Sequence, residues 1–439
     1  MRRVISTTGT CDHRSRLDTA TGFVLLGILL LAGCRGPQLA ATPNLYVGSP
    51  ENPFADVPPF LQSSEVQLYY LTDRRPIEGR DGKLRYGFGR SPSLAAGTCV
   101  VTIGDSLSWE TLVKESRTNQ RSRRLPLRVT EITEVVRAPS SVEPFVEIDG
   151  RRVPDPAVLE ERAETARAIA HLLSERLALT ARKELFIFIH GFNNTFEDAA
   201  YRMAQLWHFM GRVGVPILYT WPAGHPGLLR GYTYDRESGE FTVFHLREAL
   251  RFLADNEDVD KIHIIAHSRG TDVAMSALRE LHLECRAAGL DTRSSLKLGT
   301  VVLAAADLDL EVVGLRIVAD GLHHVPELLT IYLSEDDRAI GIASWLFASV
   351  GRLGQVTLGD FTAQQRESMR LSPEINFVDV EITTDWLGHG YFISNPAVLS
   401  DLILVLRDGR LPGAENGRPL RPIEGQFWGL DRNYPQFEQ

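Results

Sequence analysis

Between residues 185 and 407, short apolar runs alternate with amphipathic stretches, and that alternation leaves few folds open. The runs 185–189, 215–220, 262–266, 300–304, 328–333 and 377–382 are short and apolar enough to be strands covered on both faces. Helical stretches lie between them at 195–211, 242–256, 270–288 and 339–346, and a last helix is predicted at 395–407. Such alternation predicts an α/β chain with a mostly parallel sheet and helices on both faces. Just upstream, Asp155 followed by Pro156 marks a helix start. Leu159, Ala163, Ala166, Ile169, Leu173 and Leu177 continue it at three- and four-residue steps. Earlier strand-like runs at 66–71, 98–103, 127–136 and 145–148 predict an N-terminal β-rich extension.

The run 262–266 ends in Ala266-His267-Ser268-Arg269-Gly270, which opens the next helix. A serine between two small residues, at a sharp strand-to-helix turn, is the arrangement that lifts its Oγ above a sheet. Ala266 stands where glycine is more usual and meets the same size requirement. That turn resembles the nucleophile elbow of α/β-hydrolases, so Ser268 is the candidate nucleophile, with the Arg269 N–H expected to aim at the substrate oxygen. The second oxyanion donor is expected from His190-Gly191-Phe192-Asn193-Asn194, directly after the run 185–189, through the backbone of Phe192. His190 precedes Ser268 in the chain, whereas this fold orders its triad as Ser, acid, His; it is expected to buttress the loop.

Downstream of the last strand, His389 lies in a glycine-flanked loop, Gly388-His389-Gly390, before the final helix, and is the candidate base. His323 and His324 precede the run 328–333 and so sit at the wrong end of that strand. The acid is expected past a strand end before the histidine. Ser334-Glu335-Asp336-Asp337-Arg338 offers three carboxylates there, with Asp337 preferred; Asp307 and Asp309 end the preceding run and remain open.

The match extends beyond the triad. Thr72-Asp73-Arg74, Tyr86-Gly87 with Arg90, His190-Gly191-Phe192-Asn193, Trp221-Pro222-Ala223, Ala304 to Asp309, Tyr332-Leu333-Ser334 with Asp337-Arg338-Ala339, and Gly388-His389-Gly390-Tyr391 occur in this order. Over about residues 66–408 the chain resembles a bacterial α/β-hydrolase family of unknown function, often found as secreted or lipoprotein forms. The resemblance implies the α/β-hydrolase fold, hydrolase chemistry and an acid at Asp337. Arg269 departs from the family's usual hydrophobic residue, and Gly390 from its common serine. The expected activity is a carboxylic-ester hydrolase of the cell envelope acting on a small-molecule or lipid ester, without cofactor or metal. The alternatives are a degenerate hydrolase-fold lipoprotein that binds or scaffolds, or an acyltransferase or thioesterase with the same triad.

The ends of the chain carry a different message. Arg2, Arg3, Arg14 and Arg16 precede an apolar run from Gly22 to Gly33, too short to span a bilayer, which needs about 20 residues. Leu31-Ala32-Gly33-Cys34 resembles a bacterial lipobox, so residues 1–33 are expected to be a lipoprotein signal peptide and Cys34 the lipidated residue. Residues 34–65 read as a tether, 66–153 as the β-rich extension, 154–408 as the catalytic core, and 409–439 as an irregular tail. The basic stretch 117–124 reads as a solvated loop. A net charge of -9 argues against nucleic acid, and four scattered cysteines (11, 34, 99, 285) lack metal-ligand spacing. Gly104-Asp105-Ser106-Leu107 spells the nucleophile block of another lipase group, but its Gly-x-Asn-Asp block is missing and Asp320 to His323 has the right letters in the wrong place, so Ser106 is set aside.

Overall fold

The computed structural model describes residues 36–436, apart from 51, 143–144, 314, 316–317, 335–352, 356, 361, 363–365, 368–369 and 382–389. Strands are β1 (Glu65–Glu78), β2 (Leu84–Ile103), β3 (Leu127–Arg137), β4 (Phe145–Ile148), β5 (Arg151–Pro154), β6 (Glu184–Ile189), β7 (Val215–Thr220), β8 (Lys261–His267), β9 (Leu298–Ala304), β10 (Leu328–Leu333), β11 (Ile375–Val380), β12 (Arg421–Glu424) and β13 (Phe427–Leu430). Helices are α1 (Trp109–Glu115), α2 (Pro156–Ala178), α3 (Phe196–Phe209), α4 (Leu228–Asp255), α5 (Gly270–Ala287), α6 (Thr292–Leu296), α7 (Leu310–Val313), α8 (Tyr391–Ser394) and α9 (Pro396–Leu406).

One sheet of eleven strands runs in the order β12-β13-β11-β10-β9-β8-β6-β7-β1-β2-β3. From β11 through β1 every neighbouring pair is parallel; β2 and β3 continue antiparallel beyond β1 as the β-rich extension. The side-chain period of two explains the double covering. On β6, Phe186 and Phe188 join the apolar cluster under α3 and α9, while Leu185, Ile187 and Ile189 join the cluster under α4 and α5. Each buried side chain of this size contributes roughly 1.5–3 kcal/mol, so the six-residue strand is held from both sides.

Asp155 caps α2 by accepting from the Ala157 N–H at 2.9 Å, as the sequence predicts. Thr195 and Asp198 form a reciprocal capping box at the start of α3, which fixes where the loop after β6 ends.

Two segments differ from expectation. Residues 38–57 do not form a free tether: Leu39, Tyr46, Phe54 and Val57 are buried, and Gln38 bridges to Pro126. The physical reason is four apolar anchors spaced without a period along a Pro-rich strap. The tail is not irregular throughout either. Residues 421–430 make a hairpin whose second strand, β13, pairs with β11, so Phe427 stacks on Phe377 at 4.6 Å. Beneath it, Arg418 forms a fully buried pair with Asp401 of α9, which also accepts from the Tyr332 and Tyr434 hydroxyls.

Candidate active site

Ser268 follows β8 directly and adopts φ +53°, the left-handed region that a non-glycine residue enters at a cost. The strain is held in place by hydrogen bonds around it. The Ser268 N–H donates to the Ala304 carbonyl at 2.9 Å, and the Ser268 carbonyl accepts from the Thr271 hydroxyl at 2.6 Å and the Thr271 N–H at 3.0 Å. Gly270 starts α5 against the loop after β6. A Cβ on Gly270 would stand 2.3 Å from the His190 carbonyl oxygen and 2.7 Å from that of Ile189. From the other side, a Cβ on Gly191 would stand 2.6 Å from Ser268 Cβ and 3.1 Å from its Oγ. Only two glycines let the β6 and β8 turns touch in this way. The result brings Ser268, Arg269 and the Gly191-Phe192 loop together at the carboxyl edge of the parallel strands.

The loop carrying Phe192 is clamped from three directions. Buried Arg74 of β1 donates to the Asn194, Ala223 and Gly87 carbonyls and to Thr220 Oγ1. Burial lowers its guanidinium to about 10, against the pull of neighbouring Asp73 and Asp235. His190 stacks on Trp221 with ring centroids 5.1 Å apart. Its Nδ1 lies 2.9 Å from the Gly191 carbonyl and its Nε2 accepts from the Trp221 N–H at 3.1 Å, so the ring is a neutral Nδ1–H tautomer. Burial, then Arg74, holds its pKa well below the ordinary histidine value. A ring committed at both nitrogens cannot serve as a base.

The third clamp comes from α4. Asp235 accepts from the Asn193 N–H at 2.9 Å and the Gly224 N–H at 3.1 Å, and burial raises its carboxyl above the usual range. Asn193, at φ +54°, is thereby fixed beside Phe192. Tyr232, one turn earlier, places its ring 5.4 Å from that of Phe192 and donates to Asp307 Oδ2 at 3.2 Å. Neither Tyr232 nor Asp235 was singled out in the sequence, because α4 begins fourteen residues before the predicted 242. The stretch Tyr232-Thr233-Tyr234-Asp235-Arg236-Glu237 has no apolar stripe that would have marked it.

Arg269 occupies the capping position of α5, where the first backbone N–H groups of a helix point outward and attract negative charge. Its side chain is nearly buried and pairs with Asp272 at 2.7 Å. Burial would lower its pKa, but Asp272 and Asp307 outweigh it and raise it. Asp307 itself is buried just past β9, and its N–H lies 3.5 Å from the Ser268 carbonyl.

Asp337, His389 and Cys34 lie outside the described residues, as do Asp336 and the predicted helix 339–346. Tyr391, two residues past His389, is described: its hydroxyl accepts from the Ala305 N–H at 3.1 Å and donates to the Tyr332 carbonyl at 3.0 Å. That ties the chain after the histidine to the ends of β9 and β10. The rival histidines sit before β10, where His324 pairs with Glu374, at the opposite edge from Ser268. Ser106 also has φ +53°, but it follows β2, whose end aligns with the start of β1, again at the opposite edge. Among the described residues no three His, Cys, Asp or Glu side chains converge to hold a metal ion.

Compared with known proteins, residues 165–407 match a family model described as alpha/beta hydrolase of unknown function (DUF900). No curated protein matches the chain.

Proposed function

The chain belongs to this alpha/beta hydrolase family of unknown function, and from that premise we propose that it is a serine hydrolase cleaving carboxylic esters in the cell envelope. The observation that carries the reading is Ser268 at φ +53° between β8 and α5, its Cβ pressed against Gly191. Strain of that kind persists where surrounding structure over-determines it, and a nucleophile fixed at a strand-to-helix turn is a reason to keep it. Ser268 Oγ attacks the ester carbonyl while His389 takes its proton, and Asp337 holds the imidazole in the right tautomer. The backbone N–H groups of Phe192 and Arg269 receive the oxyanion. Collapse expels the alcohol, to which His389 returns the proton; water then repeats the sequence to free the acid. The chain is anchored by acyl groups on Cys34, after removal of residues 1–33, at the envelope membrane.

A fluorophosphonate probe tests this, since only a serine activated beside an oxyanion hole reacts quickly with it. Labelling is expected at Ser268, and Ser268→Ala is expected to remain folded while kcat on p-nitrophenyl esters falls by about 10⁴–10⁶. Labelling of the Ser268→Ala variant equal to the parent's would overturn the assignment and bring Ser106 back.

A further inference from the structure

We propose that the basic loop between α1 and β3 rests on the anionic phospholipid headgroups of the bilayer that holds Cys34, so that the Ser268 edge faces away from that bilayer. Its substrates are then esters presented from the aqueous side, not the lipids of the anchoring membrane. The proposal rests on the lipid-anchor reading of Cys34.

Three observations meet at one place in the fold. The first is charge. From Lys114 to Arg128 the chain carries Lys114, Arg117, Arg121, Arg123, Arg124 and Arg128 against the single carboxylate of Glu115. Glu115 is buried and accepts from the Ser122 N–H and hydroxyl, so it does not face outward. Lys114, Arg123 and Arg124 are exposed; Arg128 is exposed too but pairs with Asp105 at 3.4 Å, so the outward excess rests on the other three. In a chain of net charge -9 this is a local reversal of sign, and each such cation near an anionic surface is worth about 1 kcal/mol of attraction.

The second is where the chain joins the domain. The loop is bonded to the strap that begins at Gln38: the Leu39 N–H donates to the Leu125 carbonyl at 2.8 Å, and the Thr42 hydroxyl to the Thr118 carbonyl at 2.6 Å. Arg121 donates to the Leu39 carbonyl at 2.7 Å and to the Ala40 carbonyl at 2.5 Å. Gln38 is four residues past Cys34, and four extended residues span at most about 14 Å. That reach is about one and a half Debye lengths of 8–10 Å, so the point where the strap joins the loop stays close to the headgroups. The same loop walls a groove of about 530 Å³ in which Arg121 and Arg432 stand without a carboxylate among the described lining residues.

The third is direction. Pro126, the bridge partner of Gln38, precedes Leu127, which pairs with Ile103; Thr102 pairs with Glu65 at the start of β1. Because β1 is parallel to β7, this is the edge from which the parallel strands depart. Ser268 sits at the edge where they end, about 20 Å away for strands of six to seven residues. Resting the loop on lipid turns the nucleophile toward water.

The test uses the full chain, purified in its anchored form and reconstituted from the outside into vesicles of phosphatidylglycerol and phosphatidylcholine carrying headgroup spin labels. A fluorophore is placed at Gln120→Cys in the loop or at Arg80→Cys beyond the end of β1; Cys99 and Cys285 are buried and do not compete. Quenching is expected to be several-fold stronger at position 120 than at position 80. The difference should vanish in Arg123→Glu/Arg124→Glu and at 1 M salt, where the Debye length is about 3 Å. Equal quenching at both positions, or stronger quenching at position 80, overturns the proposal while leaving the anchor intact. Metabolic palmitate labelling separates the two: no label on the parent, or equal label on Cys34→Ser, overturns the anchor and the orientation with it. The readout is distance, so it does not depend on the hydrolase assignment.

Discussion

Gly191 has no room for a side chain. Its Cβ would lie 2.6 Å from that of Ser268 and 2.9 Å from the His267 carbonyl oxygen, and both belong to the rigid elbow. In Gly191→Ala the loop carrying Phe192 must retreat, and the oxyanion donor retreats with it. Loss of one such donor costs about 10²–10³ in kcat elsewhere, and a loss of that order is expected here with KM little changed. Steady-state kinetics on one ester, with circular dichroism to confirm the fold, checks it; an unchanged kcat would remove Phe192 from the site. The acid is settled by three substitutions measured side by side. Asp337→Asn is expected to cost about 10⁴ in kcat at near-neutral pH, because the imidazole loses the partner that fixes its tautomer. Asp336→Asn should be close to silent. Asp307→Asn should be intermediate, since Asp307 accepts from Tyr232 and adds to the field that holds Arg269 charged. If Asp307→Asn shows the large loss and Asp337→Asn the small one, the acid belongs one strand earlier.

At the scale of elements, the strands of the parallel sheet were legible because each is buried on both faces and therefore reads as an unbroken apolar run. The turn after β8 was legible for a related reason: small residues flank Ser268 where a strand gives way to a helix. Other elements gave weaker signals. The first half of α4 is charged and aromatic, and what holds it is polar: Asp235 to the Asn193 and Gly224 amides, Arg90 to Ser238 at 2.9 Å. No hydrophobic period records such contacts. The strap 38–57 and the hairpin β12–β13 are held by a few anchors each, too sparse to distinguish from a linker.

Two buried histidines give this level its own prediction. His190 after β6 and His208 in α3 are buried and held well below their ordinary pKa, by burial first and by Arg74 and Arg212 next. Both are neutral in the folded chain and free to protonate in the unfolded one. Their contribution to stability is therefore complete above the unfolded histidine value of about 6.5 and is lost as pH falls below it. With two protons taken up on unfolding, stability should fall by up to about 2.7 kcal/mol per pH unit in that range. Urea titrations at pH 7.5, 6.5 and 5.5 measure the slope; a midpoint independent of pH would show that neither ring resists protonation.

On the scale of the whole molecule, the touching turns of β6 and β8 have a consequence for how the site comes into being. His190 and Gly270 meet across some eighty residues of intervening chain, which includes β7, α4 and β8 itself. β7 lies on the far side of β6 from β8, so β8 pairs with β6 and not with the strand that precedes it in the chain. Closing a loop of that length costs entropy before any contact rewards it, and parallel pairings of this kind form late. A chain that has collapsed, with its helices in place and its apolar runs hidden, still has no nucleophile elbow until that seam shuts. On the serine-hydrolase reading, reactivity at Ser268 is thus a property of the finished molecule alone, absent from the nascent chain and from any half-made form.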